Sequence, residues 1–465
     1  MRGISCLLNF KESLTKNPPY YELLARQICM PEQENSSHSP CILEHTAFCT
    51  DSDSSIISRV CEGYQFTVAF SGKLSSWDYQ KDELSACGYH FLVHNDAELA
   101  LLSYIHFGEN CADKLSGNFS MIVYDSMRRT AFVLSKGRDA LPFFYANIGD
   151  FYVISTSLNG ILSFPQIQKK IDSDSILNLL SAGNRISGQI FDGVFILPPD
   201  SMLKISQKGI RKPVFIKNQV SPTKEFTNRT GLIFTGSEQD EIFLKNFTDS
   251  NPLKSGLLNV YAEKFPQNLS NIPFNKQHLS IDEGTVYSAL ETVVSALGFP
   301  FLSDFDFILP IALKRAKGTD EDLFFSAPDR FYPPKNYLKT LVKNRAFHSV
   351  LEKNIQDFTP GADIFPSYPP LISNYMSMKI HTSFCDGEAF SHSYFSQKLK
   401  TTLRRILLDI ISKEHAPLFA FFKRSELLRL CEGGFSFSEK ESETELIAYL
   451  IKLNMWFELF SPKIV

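Results

Sequence analysis

The chain has 465 residues, of which 43% are apolar and 21% charged, with a formal net charge of -4. That length exceeds one ordinary hydrophobic core and implies two or three domains, while the apolar content excludes a disordered chain. The charge balance supplies no field for a polyanion, which excludes a nucleic-acid partner, and the longest apolar stretches, such as Ala416 to Phe422, fall far short of the roughly 20 residues that span a bilayer.

In chain order, Arg2 is followed by no sustained apolar run, so no signal peptide is expected. Most of the nine cysteines lie in the first quarter, at Cys6, Cys29, Cys41, Cys49, Cys61, Cys87 and Cys111, without the short paired spacing of a zinc site. They are expected to be reduced and mostly buried, in a cytoplasmic protein. Phe66 to Phe70, Phe119 to Tyr124, Thr130 to Leu134 and Tyr152 to Ser155 read as short strands, and Asp96 to Phe107 carries Leu99, Leu102 and Ile105 at helical spacing. A layered α+β domain follows from that mixture. Residues 207 to 230 turn polar and basic around Pro213 and Pro222, as a linker does, so the boundary is set near Val220, giving domains 1–219 and 220–465.

The second half opens with an apolar strand, Gly231 to Phe234. Asp282 to Leu297 is its clearest helix, with acidic residues first, Val286, Leu290, Val293 and Leu297 on one stripe, and Gly298 then Pro300 as the stop. Strand-helix alternation argues for a parallel sheet. The last third reads as helical, ending in Thr444 to Phe460, whose Thr444 is a candidate cap.

Several motifs carry a resemblance. Met1-Arg2-Gly3-Ile4 is similar to the Met-Cys-Gly-Ile start of the asparagine synthetase family. Asn95-Asp96-Ala97-Glu98, Leu115-Ser116-Gly117-Asn118-Phe119 and the segment Gly137 to Tyr145 resemble, in the correct order, three landmarks of that family's glutaminase domain. The resemblance implies an N-terminal αββα sandwich of the N-terminal-nucleophile (Ntn) type. A parallel-sheet, ATP-pyrophosphatase-like synthetase domain with a helical C-terminus would follow it.

The chemistry of the first domain departs from the pattern. Arg2 stands where the family has its nucleophilic cysteine, and a permanently protonated guanidinium cannot attack an amide carbonyl. Ser71-Gly72-Lys73 stands where the family has an Asn-Gly-Glu turn that lends an oxyanion-hole amide, worth roughly 3 to 4 kcal/mol. An Arg-Gly-Pro segment to grip the glutamine carboxylate is missing too.

For the second domain the resemblance implies a phosphate loop after the first strand, the family's Ser-Gly-Gly-x-Asp-Ser. Here the segment reads Thr235-Gly236-Ser237-Glu238-Gln239-Asp240-Glu241, which makes Thr235, Gly236, Ser237 and Asp240 candidate ATP contacts. Glu238 and Glu241 would repel a polyphosphate unless Mg2+ intervenes. Asp282-Glu283 occupies the place of an acidic pair, and Phe305 to Arg315 that of a Leu-Pro helix. Residues 320–331 resemble the second phosphate loop, which offers Ser326 to phosphate and, with Asp240, Asp329 to the metal. Gly361-Ala362-Asp363-Ile364-Phe365 competes for that role.

Within the superfamily, the C-terminal helices are most similar to lasso-peptide macrolactam synthetases and β-lactam synthetases, which adenylate a carboxylate and close an amide on an internal amine. The implied partner is a carboxylate-bearing small molecule or precursor peptide. No general base stands out among Lys379, Lys398 and Lys423. Three readings stay open: an ATP-dependent amide-forming enzyme, an inactive homologue kept as a binding, regulatory or maturation-complex partner, and an asparagine synthetase proper.

Overall fold

A computed structural model describes residues 3–14, 23, 41–50, 54–75, 77–137, 140–171, 188–216, 230–234, 244, 258–263, 265, 274–298, 308–319, 322–328, 380–385, 397–435 and 443–464. The chain divides into two compact units, Met1–Lys169 with Ser187–Thr223, and Lys170–Ile186 with Lys224–Val465.

The first unit contains β1 (Ile4–Asn9), β2 (Cys41–Ile42), β3 (Thr46–Thr50), β4 (Ser55–Cys61), β5 (Tyr64–Ser75), α1 (Trp77–Ala86), α2 (Asp96–Phe107), α3 (Cys111–Lys114), β6 (Ser116–Asp125), β7 (Thr130–Lys136), β8 (Phe143–Ile148), β9 (Phe151–Ser155) and α4 (Leu158–Leu162). After the short β10 (Lys170–Ile171), which belongs to the second unit, it resumes with β11 (Gly188–Phe191), β12 (Val194–Leu197), β13 (Ser201–Ser206), β14 (Gly209–Ile210) and β15 (Val214–Phe215).

Two seven-stranded sheets result, one ordered β11-β12-β8-β9-β1-β3-β2, the other β14-β13-β7-β6-β5-β4 with β15 also on β13. Every pairing in them is antiparallel. Their alternation sorts side chains into layers. Ile4, Cys6 and Leu8 of β1 meet Ala69, Ile122, Tyr124 and Val133 in a core shared by the two sheets. The other face of the second sheet gives Phe66, Val68, Phe119, Met121, Phe132 and Leu134 to a core closed by Ala97, Ala100, Leu101 and Tyr104 of α2. Because β6 and β7 are covered on both faces, they read as near-continuous apolar runs. The four expected strands lie within β5, β6, β7 and β9, and the expected helix is α2.

Residues 209–215 depart from the expected linker. They form β14 and β15 on β13, because the backbone ladder needs no large buried side chains there; Val214 and Phe215 are exposed.

The second unit holds five parallel strands, β16 (Thr230–Ile233), β17 (Leu258–Ala262), β18 (Asn275–His278), β19 (Asp322–Pro328) and β20 (Ile380–Cys385), in the order β18-β17-β16-β19-β20. Leu232, Phe234, Leu258, Val260 and Ala262 form its buried cluster with Leu244. The helices are α5 (Glu283–Leu297), α6 (Ile308–Ala316), α7 (Gln397–Ser412), α8 (Arg424–Cys431) and α9 (Glu443–Phe460). Helix α5 starts where Asp282 accepts from the Thr285 amide at 2.9 Å and stops at left-handed Gly298, φ 75°.

Helix α9 is buried nearly all round and packs on α5 and α7, with Trp456 Nε1 donating to Gly298 O at 2.8 Å. It begins at Glu443, so Thr444 lies inside the first turn, where it is buried, rather than ahead of it as the cap. The final strand β21 (Lys463–Ile464) pairs in parallel with β10. No described helix is long and apolar enough to cross a membrane.

Candidate functional site

The order of the parallel sheet fixes where a ligand would sit. The chain runs outward from β16 through β17 to β18, then returns to place β19 on the other side of β16 and β20 beyond it. In such sheets the crevice outside the carboxyl ends of the strands at this reversal is the ligand site. Here the reversal falls between β16 and β19, where Ile233 registers with Phe325. Both phosphate-loop candidates adjoin those carboxyl ends, since residues 235–241 follow β16 after Phe234 and Asp329 follows Pro328, the last residue of β19. Phe234 continues the ladder, its amide donating to Tyr261 O at 2.9 Å.

Ser326 lies in β19, one step beyond Phe325, in register with Ser383 of β20. Thr235, Gly236, Ser237, Asp240 and Asp329 lie outside the described residues, as do the competing Gly361 to Phe365 and Lys379. Lys398 and Lys423 are exposed. Asp282 and Glu283 have structural partners. Asp282 accepts from the Thr285 amide and hydroxyl and from Ser280, contacts that hold its carboxyl below the usual range, with the Thr285 amide first among them. Glu283 pairs with Arg405 at 3.3 Å. Among the described residues, no group of three or more His, Cys, Asp or Glu could hold a metal ion.

In the first unit, three segments read as separate landmarks adjoin across neighbouring strands. Ser71-Gly72-Lys73 lies inside β5 rather than at a turn, and pairs with Ser120, Phe119 and Asn118 of β6. Gly72 has φ 121°, and a Cβ there would sit 2.3 Å from Asn118 O; one on Gly117 would sit 2.3 Å from Lys73 O. Only glycine permits that approach. On β7, Lys136 pairs with Phe119, and the Gly137 amide beyond it donates to Asp200 at 2.9 Å.

A row of buried serines crosses the same sheet, Ser71, Ser120, Ser135 and Ser201 in register. Ser120 and Ser135 both donate to Leu141 O, at 2.7 and 2.8 Å. The Ser120 and Ser135 hydroxyls serve the fold, because the backbone carbonyl they satisfy is otherwise buried with them.

The fourth landmark also proves structural. Asn95 caps α2 by accepting from the Glu98 amide at 2.9 Å. Glu98, fully buried, accepts from the amides of Leu92, Val93 and His94 at 2.7 to 2.8 Å and pairs with Arg59. Sequence reading missed this anchor, although a glutamate three residues after an Asn cap was the available signal. Asp96 accepts from the Leu74 amide at 3.2 Å, with its carboxyl raised chiefly by burial.

Arg2 lies outside the described residues, and β1 begins two residues later at Ile4, whose amide donates to Thr156 Oγ1 at 3.1 Å. Three described buried thiols are held protonated. Burial, then the neighbouring Cys49, pushes Cys6 well up, burial pushes Cys111 up, and in the second unit burial pushes Cys431 up to about 12.

Comparison with known proteins agrees with this frame. The family model of the glutamine amidotransferase domain matches residues 46–216. The chain is 30% identical over 151 residues to asparagine synthetase [glutamine-hydrolyzing] 3 of Bacillus subtilis, a match covering 32% of this chain and 25% of that protein. It is 28% identical over 123 residues to asparagine synthetase [glutamine-hydrolyzing] 1 of the same organism, covering 26% and 19%. The matches therefore span a quarter or less of these relatives' lengths. A solved glutamine phosphoribosylpyrophosphate amidotransferase of B. subtilis, complexed with ADP and GMP, aligns with 85% of this chain and 68% of its own, but at 11% identity and a TM-score of 0.32 it carries no argument. Residues 46–216 are thus similar to a glutamine amidotransferase domain, and the chain is similar to asparagine synthetases over 32% of its length.

Proposed function

We propose that this protein forms an amide bond at the expense of ATP, by adenylating a carboxylate, without hydrolysing glutamine. The observation that carries the reading is the parallel order β18-β17-β16-β19-β20, which brings the carboxyl ends of β16 and β19 side by side. Two adjacent loops at a switch point suit a nucleotide's phosphates. The residue types fit, because Thr235, Gly236, Ser237 and Ser326 offer hydroxyls and backbone amides, while Asp240 and Asp329 offer a carboxylate each to Mg2+. The metal's charge would also offset Glu238 and Glu241.

The nitrogen would come from an amine on the substrate or from free ammonia, since Arg2 removes the nucleophile that glutamine hydrolysis needs. A carboxylate-bearing small molecule or a precursor peptide is the substrate in this reading. Macrolactam formation of the lasso-peptide kind is its peptide form, and the cytoplasm its place. The division of labour would follow a boundary near Val220.

The test is ATP-pyrophosphate exchange by the full chain with Mg2+ and a panel of carboxylates. Exchange is expected, and Asp240→Asn and Asp329→Asn should each lower it at least a hundredfold, as loss of a metal or charge-stabilising group does. The second reading, an inactive homologue that binds or regulates a maturation partner, is favoured by Ser237 in place of a glycine. Absence of exchange together with absence of ATP binding by calorimetry would decide for it.

A further inference from the structure

The end of the sandwich where β1 finishes carries a junction that the proposed chemistry does not use. Arg129, in the turn between β6 and β7, donates through Nη2 to Phe10 O at 3.0 Å, and the same nitrogen lies 2.8 Å from His45 Nε2. His45 sits in the turn between β2 and β3, tied back to β1 twice: Asn9 N donates to His45 O at 3.0 Å, and His45 Nδ1 lies 2.9 Å from Asn9 O. Arg129 therefore bridges the two sheets, and it holds a left-handed backbone, φ 50°, that a side chain disfavours.

The donor inventory settles the imidazole. A guanidinium only donates and a carbonyl only accepts. Nε2 must then be the bare acceptor for Arg129, and Nδ1 must carry the proton given to Asn9 O, so the ring is neutral in this geometry.

We propose that His45 is an acid-sensitive latch: neutral, it fastens Arg129 and with it the β6–β7 turn to the first sheet, and protonated, it lets go. A proton on Nε2 leaves two donors and two positive charges facing each other across the gap. Glu44, whose Oε1 lies 3.8 Å from Nε2, is placed to take the imidazolium instead. The other charged or titratable neighbours do not compete. Lys11 is engaged by Asp150, and Arg128 by Asp125. Burial raises the Tyr124 hydroxyl and the Cys6 thiol, which keeps both neutral. Histidine is the side chain that ordinarily changes charge between pH 5 and 8.

Two measurements on the full chain test this. In the first, side-chain NMR of the 15N-histidine-labelled protein at pH 8, with His45→Gln giving the assignment, should find the Nδ1–H tautomer; an Nε2–H tautomer would overturn the proposal. In the second, amide exchange corrected for intrinsic rates is compared at pH 7.5 and 5.5. Protection at residues 9–12 and 126–130 should fall about tenfold in the wild type, the size of one lost hydrogen bond to a charged group, and stay level in His45→Gln. The absence of a step in the wild type, or an equal step in the variant, would sink the idea. If His45→Gln does not fold, Arg129→Gln replaces it: it should shift the His45 Nε2 resonance, which gives the assignment, leave the proton on Nδ1, and abolish the pH step.

Discussion

Removing the Glu98 carboxylate perturbs the first unit at the corner where α2 begins. Its two oxygens take three amides of the Leu92–His94 loop and the Arg59 guanidinium, while the side chain is fully buried. Hydrogen bonds to a charged group contribute about 1.5 to 3 kcal/mol each, which would make three amides worth at least about 4.5 kcal/mol. Leu92 and Val93 are themselves exposed, so water can reach part of that loop once it loosens. Arg59, only partly exposed, loses its partner as well, and breaking such a pair costs about 3 to 5 kcal/mol. Glu98→Ala should therefore destabilise the unit by at least about 4 kcal/mol, water at the exposed loop offsetting part of the combined loss. Glu98→Gln should cost about 2 kcal/mol, since the amide keeps one acceptor but turns donors toward donors. Trp77, 5.7 Å from Phe91 and 6.4 Å from His94, reports on the loop in a urea titration, with the midpoint shift read at unchanged slope. A loss below about 1 kcal/mol in Glu98→Ala would refute the view that this carboxylate organises the corner.

Gly72→Ala should cost more than about 4 kcal/mol and leave little folded first unit, because its Cβ would meet Asn118 O at 2.3 Å and Phe119 Cα at 2.6 Å; circular dichroism and yield would show it. Lys136 has its ammonium lowered by burial, against Asp113 and Asp200, so the unfolded chain binds the extra proton between that lowered value and the ordinary one near 10.4. Stability of the first unit should consequently rise as pH climbs through that window, and Lys136→Met should abolish the slope in urea midpoints. Arg2→Cys should restore a thiol yet give no measurable glutaminase activity, since the Asn-Gly-Glu turn and the Arg-Gly-Pro segment are still missing; ammonia release from glutamine above background would contradict this.

Local chemistry was legible where it decides local structure. Asp282 and Gly298 bracket α5 because a cap acceptor and a left-handed stop act within one turn. Apolar runs at β5, β6 and β7 follow from covering both faces of the sheet. The sheet order of the second unit was not legible, because periodicity says which residues form strands and nothing about which strand returns beside which. Residues 209–215 were misjudged for a related reason, since a ladder of backbone hydrogen bonds leaves no hydrophobic trace when Val214 and Phe215 face solvent. The proposed site is a matter of letters at Thr235 to Asp240 and at Asp329, and the adjacency of β16 and β19 adds the reason to consider those letters together.

The motifs that survive in the first unit are those the fold itself requires. Glu98 anchors a loop, Asn95 caps a helix, and Gly72 and Gly117 let two strands approach where any Cβ would collide. Each would be needed whether or not glutamine were ever hydrolysed. Arg2, Ser71 and Lys73, by contrast, stand where the resemblance implies groups that serve the reaction, and there the residues differ. Motif order along this chain is thus a statement about architecture, since the physical constraints that preserve it are burial, capping and close approach. Activity has to be argued separately, and the proposed adenylation rests on Asp240 and Asp329, which follow β16 and β19 in the sequence.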